Sequence, residues 1–179
     1  MNLTIEPLRD QDLEEFFSYL EVHLKESGVN GTPLFMPQSR SQSGLRQEVR
    51  AAFADGLGIH VGEPKWRRAW VYRDVSERIA GHVDLRARPE ANTGHRALLG
   101  MGIDRPLRGK GIGRALLEHA LQWAKATSLI EVIDLDVLEQ NEPALKLYRK
   151  AGFEMIGRID DMFRIDGQPE AYVMMAKRL

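Results

Sequence analysis

Apolar residues recur along this chain with two periods, and the changes of period mark its elements. "LTIEPLR" (Leu3 to Arg9) alternates like a strand, and Pro7 places it at a sheet edge. Leu13, Phe16, Phe17, Leu20 and Leu24 then repeat at helical spacing, with Asp10 or Asp12 as cap. The stretch from Ser27 to Gly44 is rich in Gly, Ser and Pro and predicts a long loop. Leu45, Val49, Ala52 and Phe53 mark a second helix that stops near Gly56 or Gly58. The period falls to two in "RAWVYRDV" (Arg68 to Val75), "RIAGHVDLRAR" (Arg78 to Arg88) and "HRALLGMGID" (His95 to Asp104). Leu116, Leu117, Ala120, Leu121 and Ala124 return to helical spacing, "EVIDLDVL" (Glu131 to Leu138) reads as a strand, and a short helix runs from about Glu142 to Lys150. Two final segments, Phe153 to Asp166 and Ala171 to Leu179, flank a Gly-Gln turn and predict an antiparallel pair.

The order is β-α-α-β-β-β-α-β-α-β-β. The unit from His95 to Leu138 requires a parallel, right-handed crossover, whereas the hairpins around it require antiparallel pairs. The predicted fold class is therefore α/β in the α+β sense: a mixed, mostly antiparallel central sheet with a parallel βαβ core and helices on both faces. No repeat or composition break divides the 179 residues, so they read as one domain, 1–179.

Composition narrows the chemistry. The net charge of −1 gives no global field for nucleic acid or anionic membrane, so any anion site is local. With no cysteine there is no disulfide, no thiolate metal site and no cysteine nucleophile, and no metal is expected. The first residues lack a signal-peptide pattern, and no apolar run reaches membrane-spanning length, so a cytoplasmic protein is the expectation. Monomer and homodimer stay open.

The strongest local signal is "LRGKGIGRALLEHAL" (Leu107 to Leu121). A strand, a glycine turn and a helix in succession present unpaired N–H groups and a positive helix end to an anion. Arg108, Lys110 and Arg114 add charge there. The Walker spacing fails, because Gly109-Lys110 is followed by Gly111 and no glycine stands five residues earlier. The dinucleotide spacing fails because Arg114 stands where the third glycine belongs. Arg/Gln-x-x-Gly-x-Gly/Ala is satisfied by Arg108, Gly111 and Gly113.

This spacing resembles the acyl-coenzyme A pyrophosphate loop of the Gcn5-related N-acetyltransferases. A second stretch, "NEPALKLYRKAGF", matches that family's other motif through Asn141, Ala144, Tyr148, Gly152 and Phe153. The resemblance covers Arg78 to Leu179 well and the amino-terminal half weakly. It implies the acyl-coenzyme A N-acyltransferase fold, acetyl-coenzyme A as cosubstrate, and direct acetyl transfer to a primary amine in a ternary complex. It implies that Met101, Gly102 and Ile103 hold the pantetheine arm on a strand that diverges from its neighbour. Arg108, Gly109, Lys110, Gly111, Ile112, Gly113 and Arg114 would hold the pyrophosphate. Asn141 and Ala144 would line the arm, and Tyr148 would protonate the thiolate.

A neutral amine is needed for attack, so a base is required. His82 is the first choice, on one strand face with Asp84; Asp134 with Asp136, and His95, are the others. Phe35, Met36, Arg40, Trp66, Asp160, Asp161 and Glu170 are candidates for the acceptor pocket. A small-molecule amine is the preferred acceptor. A protein N-terminus or lysine, or a non-catalytic acyl-coenzyme A sensor, are the alternatives.

Overall fold

The structure, a computed structural model, describes residues 3–42 and 44–179. Ser43, within the loop expected between the first two helices, lies outside the described residues. The observed elements are β1 (Ile5–Pro7), α1 (Leu13–Lys25), α2 (Gln47–Leu57), β2 (Arg67–Arg73), β3 (Ile79–Ala87), β4 (Arg96–Ile103), α3 (Ile112–Thr127), β5 (Val132–Leu138), α4 (Glu142–Lys150), β6 (Glu154–Ile165) and β7 (Gln168–Arg178). Their order is the predicted one. The strands form one sheet in the order β1-β2-β3-β4-β5-β7-β6. Only β4 and β5 run parallel; the other pairs are antiparallel.

Strand periodicity assigns each residue to a face. Trp70, Val83, Leu85, Ala97, Leu99, Ile133, Leu135, Val137, Val173 and Met175 share one face, where α3 and α4 cover them with Leu116, Leu117, Ala120, Leu145 and Tyr148. On the other face α1 and α2 pack Phe16, Phe17, Leu20 and Phe53 on Ala69, Val71 and Ile79. That cover ends near β3. Along β4, β5 and β7 the second face is carried by Gly100, Gly102, Asp134, Asp136 and Tyr172.

The strand β7 lies between β5 and β6, which leaves β6 at the edge. The register of β6 against β7 shifts twice, between Met155 and Gly157 and between Ile159 and Phe163. Such bulges twist an edge strand and blunt it against pairing with other chains.

Candidate active site

The parallel pair β4–β5 is short. Arg96, Ala97 and Leu98 pair with Val132, Ile133 and Asp134, and the strands have no paired residues beyond. Meanwhile β3 stays paired with β4 up to Ile103, and β7 with β5 up to Leu138. The two strands therefore splay, and a wedge opens between Leu99–Ile103 and Leu135–Leu138. Backbone N–H and C=O groups along its walls lack a strand partner. Unpaired backbone groups call for a ligand or water, and an extended amide-bearing arm fits such a slot as an added strand would.

The wedge leads to the glycine turn. Gly109 and Gly111 have φ of +77° and +86°, a left-handed conformation that side chains rarely adopt. A Cβ at either would meet nothing within 4 Å, so the space before the turn is open. Gly111 is the N-cap of α3, whose first N–H groups have no partner within the helix. Gly109, unexplained by the motif spacing, is thus a second left-handed turn residue. Gly113 has another reason: a Cβ there would sit 2.8 Å from Ile103 Cδ1, 3.5 Å from Leu147 and 3.6 Å from Met101. Small size lets the start of α3, the end of β4 and α4 converge. Ile112 is buried beneath the turn.

The basic side chains of the turn separate. Lys110 is exposed, and Arg114 is exposed with Nε bonded to Glu118 Oε1 at 2.7 Å. Arg108 turns inward. Its Nε donates to the Ile103 carbonyl at 2.9 Å, and Nη2 reaches Glu26 Oε2 at 2.7 Å. It ties the end of β4 to the end of α1.

Asn141 begins α4, but its side chain makes no capping hydrogen bond, so helix capping does not explain an asparagine here. Ala144, half-buried, packs at the margin of the α3–α4 core. Tyr148 is buried against Phe153, ring centroids 5.7 Å apart. Burial pushes its phenol well above the ordinary tyrosine value, so it keeps its proton at neutral pH.

The second face of the sheet holds most of the candidate bases, and most of these are already partnered. His82 is buried and shares a 3.1 Å hydrogen bond between Nδ1 and the Tyr19 hydroxyl. Burial lowers its pKa to about 4, so it is neutral at pH 7 and a weak proton acceptor. Asp84 is held by Arg67 at 3.4 Å and Arg86 at 3.1 Å. Asp134 is buried and accepts from Arg88 at 3.0 Å and Arg96 Nε at 2.8 Å. His95 is exposed at the paired end of β4, remote from the wedge. Asp136 alone of these carboxylates forms no hydrogen bond or ion pair among the described residues, and partial burial raises its pKa.

Gly100 and Gly102 are neither a bulge nor only an opening for a ligand. The β3–β4 register is continuous through both. A Cβ at Gly100 would lie 2.6 Å from Asp84 Oδ1 and 2.9 Å from Arg86 Nη1; one at Gly102 would lie 2.5 Å from His23 Nε2 and 2.9 Å from His82 Cε1. The glycines let side chains of β3 and α1 lie flat across β4.

Sequence reading did not single out Tyr19, His23, Glu26, Arg86 or Tyr172. His23 stacks on Phe35 with centroids 4.7 Å apart, and its Nδ1 has no hydrogen-bond partner among the described residues. Phe35, Met36 and Arg40 lie in the loop after α1. Ser27 Oγ accepts from the Phe35 and Met36 N–H groups, and Arg40 and Ser39 contact Asp166 at the β6–β7 turn. Leu34 packs against Leu138 and Ile165, so the loop crosses the open end of the face. Trp66 corrects the expectation: it is 1% exposed on the opposite face, packed towards Trp123 of α3, and lines no acceptor pocket. Asp160, Asp161 and Glu170 line an outer cavity of about 530 Å³ with Glu139, Arg158 and Arg164. No helix among the described residues is long and apolar enough to cross a membrane.

Residues 39–153 match the Acetyltransferase (GNAT) family, and the chain belongs to it. It is 38% identical over 74 residues to N-alpha-acetyltransferase RimI of Mycobacterium tuberculosis, covering 41% of this chain and 44% of that one. It is 44% identical over 62 residues to peptidyl-lysine N-acetyltransferase YjaB of Escherichia coli, covering 34% of this chain and 38% of that one. The chain thus spans under half the length of these two curated relatives. The fold matches a GNAT-family acetyltransferase of Streptococcus pneumoniae over 99% of this chain and 100% of that one, with TM-score 0.81 and 24% identity. It also matches yncA of Salmonella typhimurium, solved with its cofactor acetyl-CoA, over 100% and 95%, with TM-score 0.79 and 15% identity.

Proposed function

We propose that this protein is an acetyl-coenzyme A-dependent N-acetyltransferase that acts on a primary amine of a small molecule. The observation that carries the reading is the β4–β5 wedge, which runs from the left-handed glycine turn of α3, where Met101, Ile103 and Leu147 of α4 converge. It fits a ligand with a pyrophosphate at one end and an amide-bearing arm. The α3 N-terminus with Gly109, Lys110, Gly111, Ile112, Gly113 and Arg114 would hold the pyrophosphate, and the β4 backbone at Met101, Gly102 and Ile103 would hold the arm. Asn141 and Ala144 border it. When bound, the cosubstrate supplies an activated acetyl thioester; over the whole reaction the amine nitrogen loses two protons, one ending on the thiol and one in solvent.

Within this reading each residue has a task. An N–H of the β4 wall can donate to the carbonyl oxygen as negative charge develops there. Tyr148 holds a proton at Oη in a dry setting, the form a general acid needs. Desolvation also raises the affinity of a thiolate for that proton. Arg108 closes the end of β4 through Glu26 and Ile103 and orients the turn. His82, neutral and bonded to Tyr19, fits a positioning role beneath Gly102 better than that of a base. The loop that ties α1 to the β6–β7 turn narrows the acceptor side, which supports a small amine over a protein segment. The relatives RimI, an N-alpha-acetyltransferase, and YjaB, a peptidyl-lysine N-acetyltransferase, support the second reading, a peptide amine.

The deciding experiment measures thiol release from acetyl-coenzyme A across small amines and peptides, beside coenzyme A binding by calorimetry. Turnover with small amines is expected. Tight coenzyme A binding with no acceptor in either group would instead make the protein a sensor. Gly111→Asp places a carboxylate at the pyrophosphate position and is expected to abolish coenzyme A binding while the far-ultraviolet circular dichroism stays native. Unchanged affinity would overturn the assignment of the turn.

A further inference from the structure

The open face of the sheet presents two opposite charges on either side of the wedge. Arg86, on β3, lies flat over Gly100 of β4, since a Cβ at Gly100 would come within 2.9 Å of its Nη1. This carries the guanidinium across β4 towards the wedge. Among the described residues, one of its five N–H donors is engaged, by Asp84. Asp136 stands on β5, on the same face, two residues beyond the last β4–β5 pair. The two form no ion pair with each other, although each influences the ionisation of Tyr172 behind them. Asp134, by contrast, has arginines on both oxygens. Past Asp136 the face turns apolar, with Leu138, Tyr172, Phe163, Ile165 and Leu34.

We infer that the acceptor is a zwitterion, a free α-amino acid with an apolar side chain, whose carboxylate is taken by Arg86 and whose ammonium is taken by Asp136. The arrangement suits this class for three reasons. A guanidinium with unused donors binds a carboxylate through paired hydrogen bonds. An unpartnered carboxylate at the wedge holds the ammonium beside the thioester position and accepts one of its protons, which it then releases to solvent. The apolar cluster beyond offers a place for the side chain. A carboxylate-free amine leaves Arg86 unsatisfied, and a protein lysine brings no carboxylate either. The inference rests on the acetyltransferase reading and names its substrate class.

The test pairs binding with turnover. The common L-amino acids, their carboxamides and 3-methylbutylamine are titrated into the protein with coenzyme A bound, by calorimetry, and compared as acceptors of acetyl groups. At least one apolar amino acid is expected to bind about tenfold or more tightly than its carboxamide, because the amide lacks the charge that Arg86 meets. The same preference should appear in kcat/KM. Arg86→Met should bring the two ligands close to parity, and Arg86→Lys should restore part of the difference. Asp136→Asn should weaken amino acid and carboxamide alike. Carboxamides or the plain amine performing as well as every amino acid in the unmodified protein would overturn the inference while leaving the acetyltransferase reading in place. Absence of coenzyme A binding would instead bring down that reading itself.

Discussion

The two faces of this sheet are built from the same strands and serve opposite ends. On β3, Val83 and Leu85 point to α3 and are fully buried, while His82 and Asp84 point the other way. On β5, Ile133, Leu135 and Val137 are core, while Asp134 and Asp136 are not. Strand periodicity lets one segment anchor the fold and carry chemistry at once. The sealed face needs only volume and apolarity. The open face needs specific partners, and Asp136, with no hydrogen bond or ion pair among the described residues, lies beside the wedge.

That contrast can be broken from either side. The largest effect is expected on the sealed face: Leu116→Ala empties a fully buried site and should cost about 2–5 kcal/mol in denaturant unfolding. A loss below 1 kcal/mol, roughly the worth of a single methylene, would mean that α3 does not anchor the sheet.

Next is acid sensitivity on the open face. Burial holds His23 at about 3 and His82 at about 4, against an ordinary value of 6.5. Both are neutral when folded and protonate more readily when unfolded. Stability should therefore hold above pH 6.5 and fall as pH drops towards 4, with uptake of about two protons on unfolding near pH 5 from this pair. His82→Leu should reduce that uptake by about one proton, and an unchanged slope would refute the assignment.

Smaller again is Asp134→Ala, which strands Arg96 and leaves Arg88 only its pair with Glu90, and should cost about 1–3 kcal/mol by chemical denaturation. Smallest is Asp136→Asn, expected to change stability by less than about 0.5 kcal/mol because no bond is lost. A marked destabilisation there would show that Asp136 belongs to the structural network rather than to the acceptor site.

Tyr148→Phe tests the proposed general acid on the sealed face. It should lower kcat by roughly 10²-fold with coenzyme A affinity nearly unchanged. Equal turnover would remove the general-acid role.

Local pattern made much of this legible. The element order, the parallel crossover and the glycine turn all follow from residues close in sequence. What escaped depends on distant partners. Arg108 was grouped with the turn, yet its side chain is held by Glu26, 82 residues away. The resemblance gives Gly102 a place along the pantetheine arm, but the atoms over it and over Gly100 come from β3 and α1. Trp66, a candidate for the acceptor pocket, stands just before β2 and shares the parity of Trp70, which turns it to the core. Candidate bases could be enumerated from strand parity, but not ranked. Ranking needs to know which arginines are near, and that is a property of the assembled sheet.

The position of β7 has a consequence for how the molecule is made. It is inserted between β5 and β6, yet both precede it in the chain. A ribosome delivers β1 to β4 as an antiparallel run of neighbours that can pair as they emerge. The strand β5 then has only three residues of parallel pairing until residues 168–178 arrive to complete it. During that interval the future wedge and the future β7 slot are both open edges, the kind that invites mispairing between nascent chains. Synthesis is most exposed just before the strand that closes the sheet, and a chaperone or a pause would matter most there.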